Sequence, residues 1–162
     1  MGDVSLFQPL LLTHSIKINA SPEKIWDFFV NLEQNYVRWH PEDHVVFRWT
    51  RGTPMETGAR WYAEEAVKRK TYKLKGTIGE VIPFRRIVFK NAFPISLVAP
   101  RYVWLLEPEG SQTVFTSISY LRAGELVFKL ARKHMEQNIE LHNKHVSEEG
   151  ENLKMILEGQ IA

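Results

Sequence analysis

The stretch Ile16-Lys17-Ile18-Asn19-Ala20-Ser21-Pro22-Glu23-Lys24-Ile25-Trp26 changes period halfway along its length. Its first four residues alternate apolar and polar, as a half-buried strand does. Ser21 then stands where a helix takes its N-cap. Pro22 follows at the first helical position, where a backbone N–H would lack a partner in any case. Ile25, Trp26, Phe28 and Phe29 give the following short helix an apolar face. The chain therefore opens with a strand, from about Leu10 to Asn19, that runs directly into an amphipathic helix.

Outward from that junction, a second short helix or turn is predicted over about Leu32 to Trp39, ended by Pro41. Six strands follow: His44 to Trp49, Ala59 to about Lys68, Tyr72 to Val81, Arg86 to Asn91, Arg101 to Glu107 and Thr113 to Leu121. Lys68-Arg69-Lys70 reads as a hairpin turn, and Glu109-Gly110-Ser111 as another. Short turns between successive strands imply an antiparallel sheet. From about Gly124 to Glu158 the period becomes helical. Met135, Ile139, Val146, Leu153 and Leu157 lie on one side, with His142 among them. Gly150 interrupts this run at about 1 kcal/mol relative to alanine, which suggests a bend or room for a neighbour. The expected fold is α+β: a curved antiparallel sheet wrapped around a long C-terminal helix, with two short helices after the first strand and an internal cavity. The 162 residues suit one such domain, 1–162.

Composition excludes several classes of function. A net charge of +2, from 21 Lys and Arg against 19 Asp and Glu, gives no footprint for nucleic acid. Without cysteine there is no disulfide, thiolate ligand or cysteine nucleophile. No apolar run approaches the ~20 residues of a membrane span. Pro9-Leu10-Leu11-Leu12 is too short for a signal-peptide core and lacks a basic lead. Leu6 stands where an N-myristoylation motif wants Ser or Thr. A cytoplasmic protein that binds neither nucleic acid nor membrane is the default expectation. Aromatics at a sheet edge leave a homodimer open. Phosphate-cradling glycine loops, the G-x-S-x-G elbow and the dinucleotide fingerprint are all missing.

Two segments carry chemistry. In His142-Asn143-Lys144-His145-Val146-Ser147-Glu148-Glu149, His145 and Glu149 are one helical turn apart on one side. An imidazole and a carboxylate aimed at one point are two ligands of a divalent metal, although an isolated pair of this spacing also suits a solvated helix flank. Tyr36-Val37-Arg38-Trp39-His40-Pro41-Glu42-Asp43-His44 adds two histidines at a helix-to-strand junction, either of which could be a ligand or a surface residue. On the strand Trp61-Tyr62-Ala63-Glu64-Glu65-Ala66-Val67, alternation puts Trp61, Ala63, Glu65 and Val67 on the more apolar face. That face should turn inward, and a buried carboxylate must be paired, protonated or metal-bound. A one-residue bulge would exchange Glu65 for Glu64.

The opening Ile16 to Trp26, together with Val81-Ile82-Pro83-Phe84-Arg85-Arg86-Ile87-Val88-Phe89, resembles the START-like helix-grip superfamily, which includes pollen-allergen ligand binders and polyketide cyclases. The resemblance covers nearly the whole chain. Within that superfamily, Trp39 to His44 and the His145/Glu149 pair resemble the metal site of 2,4-diacetylphloroglucinol hydrolase and phloretin hydrolase. Those enzymes cleave the carbon–carbon bond between an acyl group and a phenolic ring. The resemblance implies a divalent metal, most simply Zn²⁺, held by His44, Glu65, His145 and Glu149. It implies that Tyr36 donates to the substrate carbonyl. His40 and His142 become candidates for orienting ligands or moving protons. Trp61, Phe89, Tyr102 and Trp104 are expected to line a cavity for a small aromatic or polyketide-like ligand. This chain departs from those hydrolases in being shorter and in carrying Phe47 near the place of an asparagine they use. A non-enzymatic lipophile or polyketide binder and a metal-free cyclase or dehydratase are the alternatives.

Overall fold

The computed structural model describes the backbone at residues 9–122 and 125–161; the side chains at 9, 125–132, 134 and 135 lie outside that description. The strand β1 runs from Pro9 to Ile18. Helix α1 follows at Pro22–Val30, with the Ser21 hydroxyl accepting from the Lys24 N–H and proline in the first turn. Its four buried side chains are Ile25, Trp26, Phe28 and Phe29. Helix α2 covers Leu32–Trp39 and buries Leu32, Asn35, Tyr36 and Trp39, the i, i+3, i+4, i+7 stripe of one face.

Six strands then follow: β2 (His44–Arg51), β3 (Arg60–Val67), β4 (Lys70–Ile82), β5 (Arg86–Asn91), β6 (Arg101–Glu109) and β7 (Gln112–Arg122). They form one antiparallel sheet with β1, in the order β1-β7-β6-β5-β4-β3-β2. Pairing of the chain's first strand with its last carries the sheet around, and register shifts at His44/Val46, Trp49/Arg51 and Ile78/Val81 accentuate the curvature. Lys68 and Arg69 both have positive φ, the two-residue hairpin turn whose twist matches its flanking strands. The turn between β6 and β7 is equally tight, with Glu109 opposite Gln112 and Gly110 at φ +63°.

Helix α3, Glu125–Leu157, packs along β1 and touches α2. Leu153, Ile156 and Leu157 are buried in the core. The Lys24 ammonium donates to the Leu157 carbonyl at 2.8 Å, which satisfies one unpaired group at the helix end. Val146 is half-buried on the cavity wall. Met135 of the expected stripe lies outside the described side chains. Gly150 is buried, and a Cβ there would sit 3.0 Å from His14 Nε2 and 3.4 Å from Ile16 Cγ2. The glycine thus makes room for β1. A short 3-10 turn at Ile95–Leu97, between β5 and β6, had no counterpart in the sequence reading.

Candidate functional site

The α2–β2 junction builds one side of the site. His40 ends α2 ahead of Pro41, and its carbonyl accepts from the N–H groups of Asp43 and His44, so the chain turns back tightly. That turn lays the His44 ring flat on the Tyr36 ring, with centroids 3.8 Å apart and planes 2° apart. His44 is buried, and its Nδ1 lies 2.8 Å from the Tyr36 carbonyl oxygen. A carbonyl only accepts, so Nδ1 carries the proton. In the neutral ring Nε2 is then a bare lone pair.

Helix α3 supplies the other side. His145 Nδ1 is 2.9 Å from Asp43 Oδ2, and its Nε2 is 3.6 Å from Glu149 Oε1. The same Glu149 oxygen is 3.1 Å from His44 Nε2. Although that separation is short, its angles are not those of a hydrogen bond, and His44 Nε2 is a buried nitrogen without a hydrogen-bond partner. The strand carboxylate joins them: Tyr36 Oη donates to Glu65 Oε1 at 2.9 Å. His44, Glu65 and His145 each offer a ligand atom within 4.8 Å of the others. Glu64 turns to the other side of β3, where it accepts from Tyr62. Trp39 Nε1 donates to the Glu149 carbonyl at 2.8 Å, which ties α2 to α3 at the level of the cluster.

The electrostatics follow from this crowding. Burial alone would push Glu149 up, but the facing His145 and His44 rings outweigh it and hold the carboxyl well below the usual range. Burial alone would push His145 down, but the facing Glu149 carboxylate, the Glu65 charge and the Asp43 hydrogen bond raise it to about 10. Burial, with the Glu65 and Glu149 charges, drives the Tyr36 phenol far upward, so it stays protonated and remains a donor.

The donor set fits a divalent ion. Two imidazoles have their distal nitrogens fixed by a carbonyl and a carboxylate, and their Nε2 atoms approach the same Glu149 oxygen. Glu65 joins from the sheet. Ligating histidines in metal sites are held in the same manner. His44 Nε2, buried and without a hydrogen-bond partner, is the atom such an ion would satisfy.

A cavity of about 250 Å³ opens beside the cluster. Tyr36, Trp39, Phe47, Trp61, Tyr102 and Trp104 form its aromatic wall, and Glu65, His142, His145 and Glu149 its polar side. Phe89, expected on this wall, instead stands behind Tyr102, stacked on it at 4.5 Å. Gly76 clears space for the Trp61 ring, because a Cβ there would fall 2.7 Å from it and 2.1 Å from the Lys90 carbonyl oxygen. A second, more open groove of about 700 Å³ meets the cavity at Glu65, Leu74, His142 and His145, between the β3–β4 hairpin and α3.

His142 lines the cavity with Nε2 2.9 Å from Ser119 Oγ, and burial lowers its pKa so that the ring stays neutral. His40 does not line the cavity. It is buried beneath His145, with ring centroids 4.6 Å apart, and its Nε2 is 3.1 Å from Glu148 Oε2. His40, Asp43 and His145 form a second close triple, but His40 Nδ1 accepts from the Asp43 N–H and Nε2 faces Glu148, so both its nitrogens are engaged. The sequence reading did not single out Asp43, Glu148 or Ser119. Asp43 and Glu148 stand beside His44 and Glu149 in the quoted segments. Ser119 had a fainter signal, a small polar residue on the inward row of β7.

A curved antiparallel sheet closed by a long helix over an aromatic cavity defines a helix-grip, START-like protein. Residues 10–146 match the family described as polyketide cyclase/dehydrase and lipid transport, and the chain belongs to that family. No curated protein matches the sequence. Among solved structures the chain is similar to TTHA0849 from Thermus thermophilus, with 17% identity and TM-score 0.69 over 94% of this chain and 100% of that one. A norcoclaurine synthase point mutant from Thalictrum flavum, in complex with a transition-state analogue, matches with 12% identity and TM-score 0.70 over 98% and 99%. The same plant's enzyme in complex with dopamine and hydroxybenzaldehyde matches with 10% identity and TM-score 0.69 over 100% and 95%. At these identities the likeness is one of fold. Among the described residues no helix is long and apolar enough to cross a membrane.

Proposed function

We propose that this protein is a metal-dependent hydrolase that cleaves the carbon–carbon bond between an acyl group and a phenolic ring. The observation that carries the reading is the buried, partnerless Nε2 of His44, whose Nδ1 proton is fixed by the Tyr36 carbonyl, standing 3.1 Å from Glu149. His44, Glu65, His145 and Glu149 would hold the ion, which when bound would polarise an acyl carbonyl and acidify a water. Tyr36 holds Glu65 through its phenol, and Asp43 holds His145 through Nδ1. The aromatic wall receives the flat ring and keeps bulk water from it. In the overall reaction water gives its hydroxyl to the acyl carbon and its hydrogen to the ring carbon. A polyhydroxylated ring accepts that hydrogen through its keto tautomer.

The test is turnover of an acylphloroglucinol ketone after chelation and after return of Zn²⁺, followed by release of the carboxylic acid. Activity lost on chelation and restored by the metal supports the reading. A well-folded, metal-loaded protein that leaves the ketone intact contradicts it. One observation favours a second reading, a metal-free cyclase or dehydratase: the His145–Glu149 pair balances its own charge and can move a proton at His145 Nε2. Activity on a cyclisable polyketide that chelators leave untouched would select it.

A further inference from the structure

The inward row of β7 reads Thr113, Phe115, Ser117, Ser119 and Leu121, and places two serines where core strands carry branched apolar residues. Ser117 pairs across the sheet with Trp104, and Ser119 with Tyr102. Both serines are buried and line the cavity. A hydroxyl in an aromatic concavity is costly unless it is hydrogen-bonded. Ser119 Oγ meets His142 Nε2 at 2.9 Å, which uses one hydrogen-bonding site on each. A hydroxyl has one donor and two acceptor sites, and a neutral imidazole has one of each. The pair therefore keeps unused capacity beside the cavity. His142 and Glu149 both line the cavity and are seven residues apart on α3, two turns or about 10 Å of rise. His142 also stands one turn before His145, so this neutral polar pair lies beside the histidine–carboxylate cluster on the β7 side of the cavity and faces the same aromatic wall.

We infer that Ser119 and His142 form a specificity subsite that hydrogen-bonds a hydroxyl or keto oxygen on the edge of a planar ligand that faces β7. The cavity accordingly selects hydroxylated rings over plain arenes. This rests on the ring-binding part of the function proposed above, and not on the metal.

The test uses a matched pair of probes, 4-hydroxyacetophenone and acetophenone, which differ only in the hydroxyl opposite the acyl group. Affinities are read by quenching of the buried tryptophans in chelator-treated protein. Wild type should prefer the hydroxylated probe roughly three- to tenfold, the value of one neutral hydrogen bond. Ser119→Ala and His142→Phe should each bring the ratio to within about twofold of unity while leaving acetophenone affinity within about threefold. Ser119→Thr, which keeps a hydroxyl, should retain the preference. A wild-type ratio near one, a wild type that binds neither probe, or a ratio unchanged in Ser119→Ala would each overturn the inference, as would equal losses for both probes. Metal content is measured separately on the same preparations before chelation and after reconstitution with Zn²⁺. An empty metal site with an intact ratio would sink the hydrolase and leave the subsite standing; a loaded site with no preference would do the reverse.

Discussion

His145 shows how far one side chain's chemistry depends on its neighbours. The charged ring carries one N–H toward Asp43 and the other toward Glu149, and both carboxylates favour that form. A pKa raised from 6.5 to about 10 means that the folded chain holds this proton more tightly than the unfolded chain does. The resulting stability is complete below pH 6.5 and is lost as pH rises through about 10. Glu149 has the opposite sign: its depressed pKa contributes above the ordinary 4.5 and is lost on acidification below it. The melting temperature of chelator-treated protein should therefore fall as pH goes from 6.5 to 10, and His145→Gln should flatten that limb. An unchanged slope in the variant would show that His145 is not the proton holder. The residue scale is also where sequence was least informative. Spacing paired His145 with Glu149 and alternation turned Glu65 inward. Nothing along the chain indicated that Tyr36 would lie flat on His44, because a ring stack between residues eight apart depends on the turn at His40-Pro41.

At the scale of elements, the seam between α3 and β1 sets how the helix closes on the sheet. Gly150 lets the helix backbone approach His14 and Ile16, and Glu149 is the next residue along. Gly150→Leu would force helix and strand apart. It should cost about 1–3 kcal/mol, the usual penalty of overpacking, read by chemical denaturation, and it should weaken metal retention by shifting Glu149. A variant as stable as wild type would mean the seam is loose. Elements were the most legible part of the sequence. Ser21-Pro22 marked the start of α1, Pro41 the end of α2, and the turn at Lys68-Arg69 the β3–β4 hairpin, since capping, proline and turn chemistry act within a few residues. The turn at Ile95–Leu97 was missed because three residues carry no period to read.

The whole molecule explains why a site spread from Tyr36 to Glu149 can form at all. The closing pair of strands, β1 with β7, brings the sheet around to face α3, and the α2–β2 junction stands against the same helix. Sequence period gave the layers of this arrangement, and the resemblance of two segments gave the neighbours, but the outer partners Asp43, Glu148 and Ser119 emerged only from the folded geometry. The central claim is that this geometry is a metal site. The most direct measurement is elemental analysis of protein purified without an affinity tag, for wild type beside His145→Ala/Glu149→Ala. The account predicts close to one equivalent of zinc or another divalent ion in wild type, lost in the folded double variant. Wild type that is folded, empty and still empty after reconstitution would contradict it.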